Sequence, residues 1–373
     1  MAERPAHLQT LSFWEYESLR RSYDLAVVGA GIVGLSAALF HKKQVPEARV
    51  AVFEKGFYPE GASSRNAGFA CFGSVTEIAD DLEHESKEEV SARIRSRLDG
   101  LKSLKTLLGE EAIGYEACGG YEIFTSDEAF ELAASRIEEF NVLLESISGE
   151  SDVYKAMTFN GFPAIFNRLE GALNTGKMMK ALIEACKLAG VEIFWNSPVS
   201  DFGSGWLELS GKNRVQASQI LLATNGFTAA LTGLNIKPGR GLVYVTRPLE
   251  TLPWRGTFHY DRGYVYFRNI GDRLLLGGAR NVDCETEESS EFEVNSAIRD
   301  WLYEFSATVL DIDLEEYAEH HWTGIMGFAD SKTAIVEQIQ EGVFVAAGLG
   351  GMGVAIGVDT GRRAQSLVAK NSR

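Results

Sequence analysis

The chain has 373 residues, 45% hydrophobic and 24% charged, long enough for two domains and for a core that encloses a ligand. Its 52 acidic side chains against 36 basic ones give a net charge of −16, which disfavours nucleic acid and anionic lipid surfaces as partners and speaks chiefly to solubility. Cys71, Cys118, Cys186 and Cys284 stand far apart with no C-x-x-C pair, so a disulfide framework, a structural zinc site and a dithiol redox pair are not expected, and no metal is assigned.

The segment up to Tyr23 carries acids and Trp14 where a secretory leader would have a basic head and an apolar run. No uninterrupted apolar run of about 18 residues follows, so no membrane span is expected and a reducing cytoplasm is the default compartment. Tyr23 to Val28 is short, apolar and followed by glycine, as a buried parallel strand should be. A helix is expected from Gly31 to about Lys43, with Pro46 in the loop, then a second strand from Arg49 to Phe53. Strand, helix and strand within about 30 residues make a βαβ unit. Residues 80–111 place Leu98, Leu101, Leu104 and Leu108 at helical spacing among charges, which predicts one long amphipathic helix with a solvated face.

Gly119 to Phe124 reads as a strand and 127–146 as a helix. Thr175 to Ala189 is a predicted helix stopped by Gly190, followed by a strand from Val191 to Trp195. Gln219 to Ala223 is a buried strand leading into Thr224-Asn225-Gly226. From Gly241 to Ala279 the pattern changes to short alternating strands with aromatics, at 242–245, 263–267 and 273–276, which suggests an antiparallel sheet. A helix over about 296–310, a strand at Val343 to Ala347 and a helix from Gly353 to Lys370 complete the chain. The fold class is therefore α/β: a Rossmann-like dinucleotide-binding domain with an inserted α+β substrate domain on an antiparallel sheet. The expected division gives 1–90, 155–235 and 315–373 to the first domain and 91–154 and 236–314 to the second.

Gly29-Ala30-Gly31-Ile32-Val33-Gly34 is a G-x-G-x-x-G motif that follows a strand, opens a helix and is trailed by Glu54 at the end of the second strand. Gly29 permits the tight turn, Gly31 lets backbone approach a pyrophosphate, and Gly34 lets helix and strand pack closely. The helix start offers free N–H groups to phosphate, and the Glu54 carboxylate accepts from ribose hydroxyls. The motif serves FAD and NAD alike. Two further glycine stretches, Gly61 to Phe69 and Gly348 to Gly353, lack the strand-and-acid context of a second nucleotide site. A glycine-lined helix start at Gly353 suits the negative charge of a reduced flavin.

With Glu170 to Asn174, Asn196 to Val199, Leu222 to Gly226, Gly277 to Arg280 and Trp322 to Gly327, these stretches fall in an order that resembles the D-amino-acid oxidase superfamily of FAD-dependent oxidoreductases, from Tyr23 to the C-terminus. The nearest likeness is to its γ-glutamylputrescine oxidase-like branch, which shares an aromatic pair near the start (here Phe13-Trp14) and a S-x-R-N-x-G-like loop.

The resemblance implies that Gly29, Gly31, Ile32, Val33, Gly34, Glu54 and Lys55 hold the ADP half of FAD. It places Ser63, Ser64, Arg65, Asn66, Ala67 and Gly68 along pyrophosphate and flavin, and Val199 against adenine. Ala223, Thr224, Asn225 and Gly226 would lie near the pyrophosphate, and Gly324, Gly350, Gly351, Met352 and Gly353 around the flavin. No cysteine lies near Trp322 to Met326 and no histidine between Glu54 and Ser74, so the FAD is expected to be non-covalent.

The implied reaction is oxidation of the C–N bond of a small-molecule amine or amino acid to an imine, by an oxidase or a dehydrogenase. Where amino-acid oxidases of the superfamily carry a carboxylate-clamping arginine, this chain has Met326. Either the substrate lacks that carboxylate or Arg240, Arg268 or Arg280 serves it. Tyr266, Arg268 and Trp322 are the substrate-facing candidates. Tyr244, Tyr264 and Phe267 are pocket or sheet core, and His259, His320 and His321 are read as packed or rim residues. A non-catalytic flavoprotein on the same fold and an NAD enzyme using only the first motif remain alternatives. Oligomeric state is not read from the sequence.

Overall fold

The computed structural model describes residues 12–14, 22–211 and 213–371. Most of the segment before Ser22, on which the leader reading rests, lies outside the described residues.

Two eight-stranded sheets organise the molecule. The first runs Ile335–Gln340, Val343–Ala347, Asn213–Leu222, Ser22–Val28, Val50–Phe53, Glu192–Phe194, with Trp206–Leu209 paired to the long strand and Val199–Gly203 paired in turn to Trp206–Leu209. Its centre is parallel, Val27 lying against both Leu221 and Val52. Val50–Phe53 and Val343–Ala347 are buried at every position, because helices cover one face and further chain the other. The helices Ile32–Gln44 and Gly353–Lys370 pack on this sheet and form one apolar cluster with Leu25, Val27, Leu221 and Phe344.

The second sheet has the order Ala318–Phe328, Lys237–Thr246, Arg273–Gly278, Val265–Ile270, Thr257–Tyr260, Gly120–Ile123, Phe162–Asn167, Tyr154–Phe159. Its pairings are antiparallel except between Thr257–Tyr260 and Gly120–Ile123. Side chains alternate between its faces. Tyr244, Phe258, Val265, Phe267, Leu274 and Leu276 point one way and bury against Ile298, Leu302 and Phe305 of the helix Ser296–Val309. The opposite face looks toward the first sheet.

Several expectations are corrected. The helix read over 80–111 is two helices, Val75–His84 and Lys87–Leu108. Ser86 caps the second through a capping box with Glu89, so the charged run contains a helix start. The helix read over 127–146 likewise divides into Asp127–Ala134 and Ile137–Ser148. The strands at 154–167 and Ala318–Phe328, grouped by sequence with the dinucleotide-binding segments, hydrogen-bond into the second sheet. Thr257–Tyr260 was not anticipated as a strand, and it carries His259. Among the described residues no helix is long and apolar enough to cross a membrane.

Candidate active site

A cavity of about 740 Å³ runs from the glycine motif at the carboxyl end of the first sheet to the inner face of the second. Its volume is within the range of cofactor and ligand pockets. At one end Gly29 has φ +101°, and an added Cβ would lie 2.7 Å from the Ala223 carbonyl oxygen, so only glycine makes this turn. Gly34 does not reach the cavity. A Cβ there would meet the Gly29 carbonyl oxygen at 2.1 Å, which makes it the helix–strand contact expected of the third glycine.

Glu54 is 6% exposed, and its two carboxylate oxygens accept the Ala30 N–H at 2.8 Å and the Gly56 N–H at 3.1 Å. The carboxylate therefore clamps the motif to the end of the second strand while lining the cavity. Ser63 Oγ accepts the Ile32 N–H at 2.9 Å, which ties the second glycine stretch to the start of the first helix. Lys55 and Val199 line the same end. The Lys55 ammonium sits 3.5 Å from the Phe227 ring centre, and burial, opposed by Glu54, Glu60 and Glu291, holds its pKa below the usual lysine value.

The middle of the cavity is bordered by Arg65, Asn66, Ala67 and Gly324. Arg65 donates to the Thr323 carbonyl at 2.9 Å, and Trp322 Nε1 donates to the Arg65 carbonyl at 2.8 Å. Trp322 thus stands outside the cavity and holds the loop that lines it. Ser64 also turns away, donating to the Pro59 carbonyl. The Asn66 side chain accepts from Gly68 N–H at 2.9 Å and folds the loop on itself.

Asn225 ties two walls together. With φ +46°, its Oδ1 accepts from Gly348 N–H at 3.1 Å and Leu349 N–H at 3.3 Å. Gly226 lies behind the wall, where a Cβ would meet the Met326 carbonyl oxygen at 2.4 Å. Gly350, Gly351, Met352 and Gly353 line the cavity at the start of the last helix, and a Cβ at Gly351 would meet nothing within 4 Å. Free N–H groups of a 18-residue helix thus border open space.

At the far end, one register row crosses the second sheet: Glu122 opposite His259, His259 opposite Tyr266, Tyr266 opposite Gly277, Gly277 opposite Val243, and Val243 opposite Trp322. Gly277 makes room for the tyrosine, since a Cβ there would lie 2.9 Å from a Tyr266 ring carbon. Phe69 packs edge-on against both Tyr266 and His259, with ring centres at 5.6 and 5.3 Å. Tyr266, Tyr264, Phe69, Val243, Met326 and His259 are all cavity wall. Burial pushes the Tyr266 phenol up to about 12.

His259 Nε2 and Glu170 Oε2 are 2.9 Å apart. Burial works to lower the imidazole pKa, but Glu170, Glu122 and Glu77 outweigh it and hold it above the usual value. Cys71 borders the same wall, and burial together with Glu170 and Glu77 holds its thiol well above the usual range.

The other aromatic and basic candidates are placed elsewhere by the pleat. Tyr244 and Phe267 belong to the core on the opposite face, Phe267 stacked on Phe258 at 4.7 Å. Arg240 is buried against Glu287 at 2.7 Å. Arg268 shares the inner face with Tyr266 but donates to the Gly68 carbonyl at 2.8 Å and does not line the cavity. Gly68 is therefore a packing glycine against Arg268 and Leu173. His320 and His321 are exposed. Arg280 lines the cavity with its guanidinium 4.5 Å from the Phe328 ring centre, and it has no carboxylate partner among the described residues.

Residues 24–367 match the family described as FAD dependent oxidoreductase. The chain belongs to that family. Glycine oxidase of Geobacillus kaustophilus is 24% identical over 372 residues, covering 93% of each chain, and the probable oxidoreductase OrdL of Haemophilus influenzae is 23% identical over 356 residues, covering 89% of this chain and 80% of its own. The crystal structure of that glycine oxidase superposes with a TM-score of 0.73 at 22% identity, covering 94% of this chain and 95% of the other. Iminodiacetate oxidase from Chelativorans sp. BNC1 gives 0.74 at 17% identity, covering 93% and 95%. The α/β fold and the FAD requirement read from the sequence are those of the family.

The residues present fit FAD. The turn at Gly29, the open space at Gly351 and at Gly61, and the continuous cavity between them form a cradle that side chains would fill.

Sequence reasoning passed over Phe69, Cys71, Arg262 and Lys332 as wall residues and left His259 as either packed or at the pocket rim; it lines the wall. The signal for His259 was available: it sits four residues before Gly263 in a run that alternates as a strand. Arg262 and Lys332 reach the wall from loops and left no pattern.

Proposed function

We propose that this protein oxidises the C–N bond of an amine or amino acid to an imine, with hydride passing to non-covalently held FAD. The names of its relatives, glycine oxidase and iminodiacetate oxidase, support the substrate class. The observation that carries the reading is the aromatic and apolar wall of Phe69, Tyr266, Val243 and Met326, continuous with the glycine cradle. When bound, FAD supplies the electron sink; the protein binds, orients and desolvates the amine.

A poorly solvating wall disfavours the ammonium form, so the neutral amine that the reaction needs is stabilised there. Tyr266, with its phenol held up to about 12, stays protonated in the physiological range and acts as a hydrogen-bond donor. Arg280 is the arginine of the three candidates that faces the cavity without a carboxylate, so it takes the role of substrate anion anchor. Glu54 and Lys55 at one end, Arg65 to Ala67 and Gly324 in the middle, and Gly350 to Gly353 beyond them would hold the cofactor.

The test uses FAD-loaded protein under anaerobic conditions with N-methyl amines, polyamines, amino acids of both hands and 2-hydroxy acids. Bleaching of the flavin spectrum by an amine or amino acid is expected, and Arg280→Met should raise KM about tenfold or more for carboxylate-bearing substrates while sparing simple amines. Bleaching by 2-hydroxy acids alone, or by no compound of the panel, overturns the reading.

A further inference from the structure

We propose that Cys71, Glu170 and His259 form a binding site for a divalent cation of the Zn²⁺ type on the cavity wall. One donor atom of each residue, the Cys71 sulfur, a Glu170 carboxylate oxygen and an imidazole nitrogen of His259, lies within 4.8 Å of the other two. A tetrahedral zinc ion takes sulfur at about 2.3 Å and nitrogen or carboxylate oxygen at about 2.0–2.2 Å. Its ligand atoms therefore stand roughly 3.5 Å apart, so an ion would replace the 2.9 Å contact between His259 Nε2 and Glu170 Oε2, those two atoms parting slightly while the Cys71 sulfur approaches.

The fold brings them together from three distant stretches. Phe69–Ala70 pairs antiparallel with Gly171–Ala172, Ala70 opposite Gly171, and continuing that register by one step sets Cys71 opposite Glu170. His259 arrives on the inner face of the second sheet. Gly120 leaves space for the carboxylate, since a Cβ there would lie 1.8 Å from Glu170 Oε2.

The carboxylate is also oriented from behind. Thr257 Oγ1 donates to Oε2 at 3.2 Å and Asn167 Nδ2 to Oε1 at 3.4 Å, the kind of outer support that metal-ligating carboxylates carry. A thiolate, an imidazole and a carboxylate favour zinc-like ions over Mg²⁺ and Ca²⁺, which take oxygen sets. Three protein ligands leave a fourth position, and because Cys71 and His259 both line the cavity, that position opens into it. Cys71 gives up its thiol proton on binding. The spacing of 71, 170 and 259 along the chain matches no zinc motif, so no local pattern marks the site.

The experiment is equilibrium dialysis of the FAD-loaded protein against ZnCl₂, and separately CoCl₂, with affinity expressed per bound flavin so that unfolded chain is not counted. One ion per chain is expected, resistant to competition by a large excess of Mg²⁺. Cys71→Ser and His259→Gln should each weaken Zn²⁺ binding at least tenfold, and Cys118→Ser, which alters the other half-buried thiol, should not. The Co²⁺ form should show a thiolate charge-transfer band in the difference spectrum that Cys71→Ser abolishes. Absence of a bound ion in the wild type, equal affinity in Cys71→Ser, or a charge-transfer band that survives it overturns the proposal.

Discussion

Replacing Glu54 by glutamine tests the proposed cofactor clamp with the least change of shape. The buried carboxylate accepts two backbone N–H groups, from Ala30 and Gly56. Glutamine offers one carbonyl oxygen and one amide nitrogen, so one of the two N–H groups must face a donor. A hydrogen bond to a charged acceptor contributes about 1.5–3 kcal/mol, a neutral one about 0.5–1.5, and a stranded buried donor costs about 1–3. The flavin-free protein should therefore lose about 2–4 kcal/mol, read by urea unfolding. A ribose hydroxyl that donates to a carboxylate in the wild type would donate to a neutral amide, or to none, in the variant. That loss, about 1–1.5 kcal/mol if a neutral bond replaces it and up to about 3 if none does, corresponds to roughly a 5- to 150-fold rise in Kd for FAD. Titrating the flavin-free protein with FAD and following the quenching of flavin fluorescence measures it. A Kd within threefold of wild type, with the expected stability loss present, would show that Glu54 only braces the loop, and the assignment of the ribose contact would fall.

Three further perturbations follow from the geometry. Gly277→Ala puts a methyl group 2.9 Å from the Tyr266 ring and 2.7 Å from the Leu242 carbonyl, so the ring is driven into the cavity, and anaerobic flavin reduction should slow at least tenfold with FAD content retained; an unchanged rate refutes the placement of Tyr266. Asn225→Ala removes the acceptor for two backbone N–H groups and should cost about 1–3 kcal/mol in urea unfolding, with faster amide exchange at Gly348 and Leu349; unaltered exchange there would contradict the pinning role. Because burial holds the Tyr266 phenol up to about 12, it keeps its proton well past pH 9, and the pH dependence of flavin reduction between pH 6 and pH 10 should keep its shape in Tyr266→Phe; a basic limb lost in that variant would show the phenol titrating far lower.

What the sequence revealed depended on how local the physical cause was. The turn at Gly29, the packing at Gly34 and the clamp by Glu54 arise within one βαβ unit, and the spacing of the residues is itself the signal. The helix Gly353–Lys370 was bounded to the residue because a glycine turn precedes it and its apolar positions repeat regularly. The far wall of the cavity was only half legible. Alternation in Tyr264 to Arg268 shows that Tyr266 and Phe267 point to opposite faces, but which face meets the cavity is decided by the helix Ser296–Val309, far along the chain. Arg268 has the right parity and still misses the cavity, because the Gly68 carbonyl intercepts its guanidinium. Arg240 was beyond reach of pattern reading, since its partner Glu287 lies in a loop with no periodicity. The break at Ser86 was readable as a capping box, and the surrounding charges hid it.

The row from Glu122 through His259, Tyr266 and Gly277 to Trp322 also limits how this wall changes over evolutionary time. Each member reaches the inner face by the two-residue repeat of its own strand, so inserting or deleting one residue in Val265–Ile270 would turn the tyrosine into the helix-backed core and bring Phe267 to the cavity. Lineages that acquire new substrates on this scaffold should therefore do so by exchanging side chains within the strands, while length variation collects in the connecting loops such as 261–264 and 329–334.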